Sequence, residues 1–114
     1  MLRRTFIGLT TAIVALAATG TVALADGKTF YWISHGSPAD PVWTYFLDGA
    51  NKWAKDTGNK VNTSFHSGDV PSQQEAVRAA IASKADGIVP SSPDPGRLVE
   101  VAKAAKEAHI PIIT

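Results

Sequence analysis

The amino-acid sequence predicts an α/β fold built as a doubly wound parallel sheet with strand order 2-1-3-4. Three observations carry that expectation. Four short β-rich segments alternate with three helical ones, each helical segment opens at a proline, and the first apolar run breaks abruptly into a polar loop. Alternation of this kind is the pattern of βαβ units around a parallel sheet. Right-handed crossovers then put helices on the sheet faces, and the order 2-1-3-4 places the switch point between strands one and three.

The elements follow in order. Strand one covers residues 29–34 and ends in His35-Gly36-Ser37-Pro38-Ala39-Asp40. Helix one runs from about Pro41 to Thr57. Val42, Phe46, Gly49 and Trp53 lie 4, 3 and 4 residues apart on one stripe, Asp48, Lys52 and Lys55 fall outside it, and Gly58 supplies the C-cap. Strand two covers 60–66. Helix two, about 71–84, offers Val77, Ala80 and Ile81 to the core, with Ser72 and Glu75 as a capping box and Asp69 solvated before it.

Strand three covers 86–90. Helix three takes Asp94 as N-cap and Pro95 at its first position, then turns Leu98, Val101, Ala102, Ala105 and Ala108 inward against Lys103, Lys106 and Glu107 outward. Ile110-Pro111-Ile112-Ile113-Thr114 reads as a buried fourth strand.

Residues 1–25 read as an address. Arg3 and Arg4 precede an uncharged run from Phe6 to Ala18, and Ala23-Leu24-Ala25 forms an A-x-A cleavage site before Asp26. A secretory signal peptide over 1–25 is therefore expected, with export to the periplasm. Arg3-Arg4-Thr5-Phe6-Ile7 also resembles a twin-arginine signal, and retention of the segment as a membrane anchor is the alternative. Without Arg3 and Arg4 the formal charge moves from +1 to −1, which leaves no basic footprint for nucleic acid. The absence of cysteine removes disulfides, thiolate metal sites and cysteine nucleophiles from consideration.

The loops after strands one and three, residues 35–40 and 91–94, would line the crevice beyond the strand ends. The loop at 67–69 would lie nearer the edge. Candidate ligand contacts are His35, Ser37, Asp40, Trp43, Ser91, Ser92 and Asp94. Asp40 and Asp94 also suit plain helix capping, and Trp32 and Trp53 suit packing. No nucleophile elbow, glycine-rich dinucleotide turn or P-loop is present, so catalysis is not expected. A zinc site from His35 and His66 would need a third ligand, which the sequence does not supply. No metal and no cofactor are expected.

Tyr31-Trp32-Ile33-Ser34 with Asp40-Pro41-Val42-Trp43, then Asp69 with Ser72-Gln73-Gln74, Ala85-Asp86-Gly87-Ile88-Val89, the loop 91–94 and Ala108-His109-Ile110-Pro111-Ile112-Ile113 keep one order and spacing. The series resembles the N-terminal lobe of type I periplasmic sugar-binding proteins, the ribose-binding group of ABC-transporter receptors. The resemblance implies a Rossmann-like lobe and a monomeric, non-enzymatic receptor that closes two lobes on a small-molecule sugar and delivers it to an ABC-transporter membrane permease. It implies that Asp40 accepts hydrogen bonds from sugar hydroxyls and that Trp43 offers a flat face to the ring, with Ser91, Ser92 and Asp94 adding contacts. A charged acceptor and an apolar aromatic face suit those two roles.

The sequence departs from the family wording in places: Asp40 stands where Asn is common, Val42 replaces an aromatic, and His109 stands where a small residue is usual. The family's ligand residues beyond its fourth strand, its hinge and its second lobe lie outside residues 1–114, so residues 26–114 are expected to be a partial lobe. His35-Gly36-Ser37 separately resembles the opening motif of sirohydrochlorin-type chelatases, which would imply a metal-insertion enzyme. A membrane-anchored sensor module is the other alternative.

Overall fold

The computed structural model describes residues 27–114, and the expected signal segment lies outside them. Strands β1 (Thr29–Ser34), β2 (Lys60–Phe65) and β3 (Gly87–Pro90) form a parallel sheet in the order β2-β1-β3. Thr29 stands opposite Lys60 and Phe30 opposite Gly87, which sets the register on the two sides of β1.

The fourth β segment forms only in part. Residue Ile112 makes a single parallel bridge with Ile88, through Ile88 N donating to Pro111 O at 2.9 Å and Ile113 N donating to Ile88 O at 3.0 Å. Pro111 contributes no N–H, so the segment touches β3 at one point instead of extending a ladder. Its place beside β3 agrees with the order 2-1-3-4.

Helix α1 (Pro41–Thr57) begins where expected, with Asp40 Oδ1 accepting from Val42 N at 3.1 Å. It ends at Gly58, whose φ of 71° is the left-handed conformation that lets the chain turn back into β2. Helix α2 (Val70–Ala82) differs from the expectation at its start: its N-cap is Asp69, which accepts from Ser72 N at 3.0 Å. Asp69 is therefore a cap rather than merely solvated. Ser72, inside the first turn, hydrogen-bonds the ring Nδ1 of His66 at 2.8 Å instead.

A 3₁₀ turn (Pro95–Leu98), capped by Asp94, leads into α3 (Val99–Glu107). Leu98, Val101 and Ala105 face inward as predicted, whereas Ala108 is exposed because α3 ends there as its C-cap.

The pleat divides the molecule into two unequal layers. Ile33 and Ile88 point to the α2–α3 face, where they form the core with Val77, Ala80, Leu98 and Val101, all nearly sealed from solvent. Each such aliphatic side chain contributes about 1.5–3 kcal/mol through burial. The alternate residues Phe30, Trp32 and Val89 face α1. There Phe30 meets Trp53 edge-to-face at 5.2 Å, and Trp32 packs against Trp43, Phe46 and Phe65.

An apolar cleft of about 340 Å³ separates α1 from this face. The helix consequently buries no residue completely, and Phe46 and Trp53 remain 58% and 42% exposed. The stripe with the lower exposure is Trp43, Leu47, Ala50 and Ala54, one position on from the predicted Val42 stripe. Among the described residues no helix is long and apolar enough to cross a membrane.

Candidate functional site

Because the three strands are parallel, all their carboxyl ends meet on one side of the molecule, and the connecting loops gather there. β1 ends in Ser34, whose buried hydroxyl accepts from Gly36 N at 3.0 Å and so turns the chain sharply after His35. The loop after β2 joins this turn directly: Ser67 N donates to Gly36 O at 2.9 Å and Gly68 N to His35 O at 2.8 Å. The loop at 67–69 therefore borders the crevice rather than lying apart at the edge. The loop after β3 is tied in from the opposite side, with Ser91 N donating to Ile33 O at 3.0 Å.

Ser91 is the knot of this arrangement. Its hydroxyl oxygen accepts from His35 N at 3.1 Å, stands 2.8 Å from His35 Nδ1, and lies 3.4 Å from the Ser34 hydroxyl. The Ser91 hydroxyl hydrogen points to Ser34 Oγ or to His35 Nδ1, and the direction of the Nδ1 contact follows the ring tautomer. His35 is also packed edge-to-face against Trp43, with ring centroids 5.2 Å apart. Helix α1 can carry Trp43 this close only because residue 36 is glycine: a Cβ there would stand 2.0 Å from the indole Nε1.

The remaining candidates occupy the rim. Ser37 accepts from Ala39 N at 3.2 Å, and exposed Asp40 uses Oδ1 as the α1 cap, leaving Oδ2 directed away from that bond. Ser92 donates to Asp94 O at 2.7 Å and accepts from Asp94 N at 3.2 Å. Asp94 accepts from Gly96 N at 3.0 Å and pairs with Arg97 Nε at 3.2 Å.

A cavity of about 310 Å³ opens between these loops, lined by His35, Gly68, Gln73, Ser92, Asp94 and Arg97 among others. His35, Ser92 and Asp94 thus come together around one space; Ser37, Asp40, Trp43 and Ser91 do not line it, and Trp43 adjoins it through its contact with His35. Gln73 and Arg97 were not among the sequence candidates. Gln73 had a readable signal, since it shares the buried stripe of α2 with Val77 and Ala80 and is its one polar member. Arg97 had only its spacing of three from Asp94. His66, just past the end of β2, is engaged by Ser64 and Ser72 at 2.9 and 2.8 Å, and no three metal-ligating side chains cluster among the described residues.

The arrangement offers hydrogen-bond donors and acceptors beside one aromatic ring, groups that suit holding a polar solute. Comparison with known proteins agrees. Residues 30–114 match a family model described as periplasmic binding protein domain. No curated protein matches the chain.

Among solved structures the chain is similar to a periplasmic sugar-binding protein of an ABC sugar transporter from Legionella pneumophila, with 30% identity, 76% of this chain and 32% of that chain covered, and a TM-score of 0.71. It is similar to a carbohydrate transporter from Acidothermus cellulolyticus 11B in complex with myo-inositol, with 28% identity, 75% and 30% covered, and a TM-score of 0.69. A sugar ABC transporter from Yersinia enterocolitica subsp. enterocolitica 8081 gives 30% identity, 75% and 26% covered, and 0.69. The chain spans about a third or less of the length of these structures. The parallel 2-1-3 sheet, the loops gathered at its carboxyl end and the match across residues 30–114 lead to one conclusion: this chain belongs to the periplasmic binding protein domain family, a family of solute-binding proteins and not of enzymes.

Proposed function

We propose that the chain forms the first-lobe half of a receptor for a sugar or a similar small polyol, exported to the periplasm and delivering its ligand to an ABC-transporter permease. The observation that carries this reading is the convergence of the three post-strand loops at the switch point, with His35, Ser92, Asp94 and Arg97 around one crevice and Trp43 packed against His35. The similarity to the Legionella periplasmic sugar-binding protein and to the Acidothermus carbohydrate transporter, with myo-inositol bound to the latter, supports the ligand class. Residues 1–25 serve as the signal peptide, cleaved before Asp26, and the receptor works as a monomer without cofactor.

In this reading Asp40 Oδ2 accepts hydroxyl protons while Oδ1 keeps the helix capped, and Trp43 presents apolar surface to the ring of the sugar. His35 offers Nε2 to the solute, its ring oriented through Nδ1 by Ser91. Ser37, Ser92 and Asp94 complete the polar rim. Alternating acceptors and donors around an aromatic face match a polyol, whose hydroxyls both donate and accept while its C–H faces are apolar. Titration of the ¹⁵N-labelled chain with myo-inositol and with aldopentoses tests this. The Trp43 indole N–H and the amides of 35–40 and 91–97 are expected to shift with millimolar half-saturation, and a spectrum that none of these sugars perturbs refutes the assignment.

A further inference from the structure

We infer that Gln73 and Gln74 are positioning residues: two consecutive side chains on α2 that clamp the segment 91–97 at its two ends and hold it in register with the tip of β1. The inference rests on the crevice reading above and adds what holds the crevice in shape.

Gln73 is 2% exposed, yet it occupies the stripe of α2 that Val77 and Ala80 fill with apolar atoms. Burying an amide there costs desolvation unless its hydrogens find acceptors. Both do: Gln73 Nε2 donates to Ile33 O at 3.2 Å and to Ser91 O at 2.6 Å. One side chain thereby joins α2, the last turn of β1 and the first residue after β3. Its neighbour reaches the other end of the same loop, with Gln74 Nε2 donating to Arg97 O at 2.6 Å.

The bonds among Ser92, Asp94, Gly96 and Arg97 hold the turn between these points together but do not tie it to α2 or β1. Pro93 and Pro95 lack N–H groups, and the short backbone bond within it, Arg97 N to Asp94 O, is 3.2 Å long. Fixing Ser91 O fixes the Ser91 hydroxyl that holds His35, so the tips of β1 and β3 move as one body. Fixing Arg97 O anchors the residue that pairs with Asp94 at the mouth of the cavity. An apolar residue at 73 would pack well in this stripe but would leave Ile33 O and Ser91 O without its two donors, loosening the tie that the Ser91 N to Ile33 O bond alone would then carry to the β1 backbone.

The test is amide hydrogen exchange measured by NMR on the full chain without any sugar. Q73M keeps the length and apolar volume of the side chain but removes both donors. It is expected to speed exchange about tenfold at His35 and Ser91, the scale of one lost buried hydrogen bond, and to shift the ring signals of His35, with Val61 and Val101 unchanged. Q74M, at a half-exposed position, is expected to speed exchange at Arg97 and Leu98 alone. Equal acceleration at all sites, or none in either variant, overturns the clamp. Should Q73M fail to fold, unchanged exchange at 97–98 in Q74M overturns it by itself.

Myo-inositol added to the unmutated chain then separates the two ideas. A spectrum without shifts sinks the sugar reading and leaves the clamp to be judged on exchange. With shifts present, Q73M is expected to weaken half-saturation about tenfold. Unchanged affinity denies the clamp any part in binding.

Discussion

The close approach of Trp43 to the β1 turn makes Gly36→Ala the most informative single change. The added Cβ would stand 2.0 Å from the indole Nε1, 2.2 Å from Cε2 and 2.5 Å from Cδ1, far inside any carbon contact, so something must move. If the ring stays, the backbone at 36 must retreat from a turn already fixed by Ser34 Oγ and by Ser67 N. Overpacking of this kind costs about 1–3 kcal/mol.

If the ring swings out, it forfeits its contacts with His35, Trp32 and Phe46 at centroid distances of 5.2, 6.1 and 5.6 Å. Each such pair is worth about 0.5–1.5 kcal/mol, with the tilted pairs at the lower end, so this route also costs about 1–3 kcal/mol. In a domain of this size that lowers Tm by about 4–8 °C per kcal/mol. Urea unfolding of G36A, W43A and the double variant gives the answer as a cycle. The coupling is expected to equal nearly the whole cost of G36A, because without the indole the methyl meets open space. A cost for G36A below about 0.5 kcal/mol, or one that persists undiminished in W43A, refutes the reasoning.

Other outcomes follow from the same geometry. Asp40→Ala is expected to lose about 1 kcal/mol of stability with the α1 cap, whereas Asp40→Asn keeps the cap and weakens sugar-induced shifts. Sugar-induced shifts left intact in Asp40→Asn would reduce Asp40 to a cap alone. Gly58→Ala, at φ 71°, is expected to cost about 1–2 kcal/mol by thermal unfolding, and Gly58→Asn less. Asp56→Ala removes the exposed pair with Lys52 and is expected to change stability by less than about 0.5 kcal/mol. Mass spectrometry of the exported protein should find Asp26 at the N-terminus; an intact residue 1 would support the anchored alternative.

Chain order and periodicity made the α/β class, the β1–α1 boundary and the three helices readable in advance, because each rests on local chemistry. Asp40 followed by Pro41, Gly58 after a 17-residue helix and Asp94 followed by Pro95 act through hydrogen bonds within one or two turns. The same locality made the two polar loops and His35 visible as candidates. It also explains the misplaced cap of α2: Ser72 with Glu75 satisfies the capping-box pattern, but Asp69 reaches the Ser72 N–H first and starts the helix one residue earlier.

What tertiary structure alone decided is every relation across elements. The shift of the α1 stripe from Val42 to Trp43 depends on how the helix lies over an aromatic sheet face, which periodicity along one segment cannot specify. Residues 67–69 belong to the crevice because the amides of Ser67 and Gly68 meet the carbonyls of Gly36 and His35, some thirty positions earlier in the chain. Gln73 shows along the chain only as the polar member of the stripe with Val77 and Ala80, and it takes folding to bring its amide to Ile33 and Ser91. Local hydrogen bonding and periodicity are written in neighbouring residues, whereas the spacing of a binding crevice is set by groups that meet only once the sheet has formed.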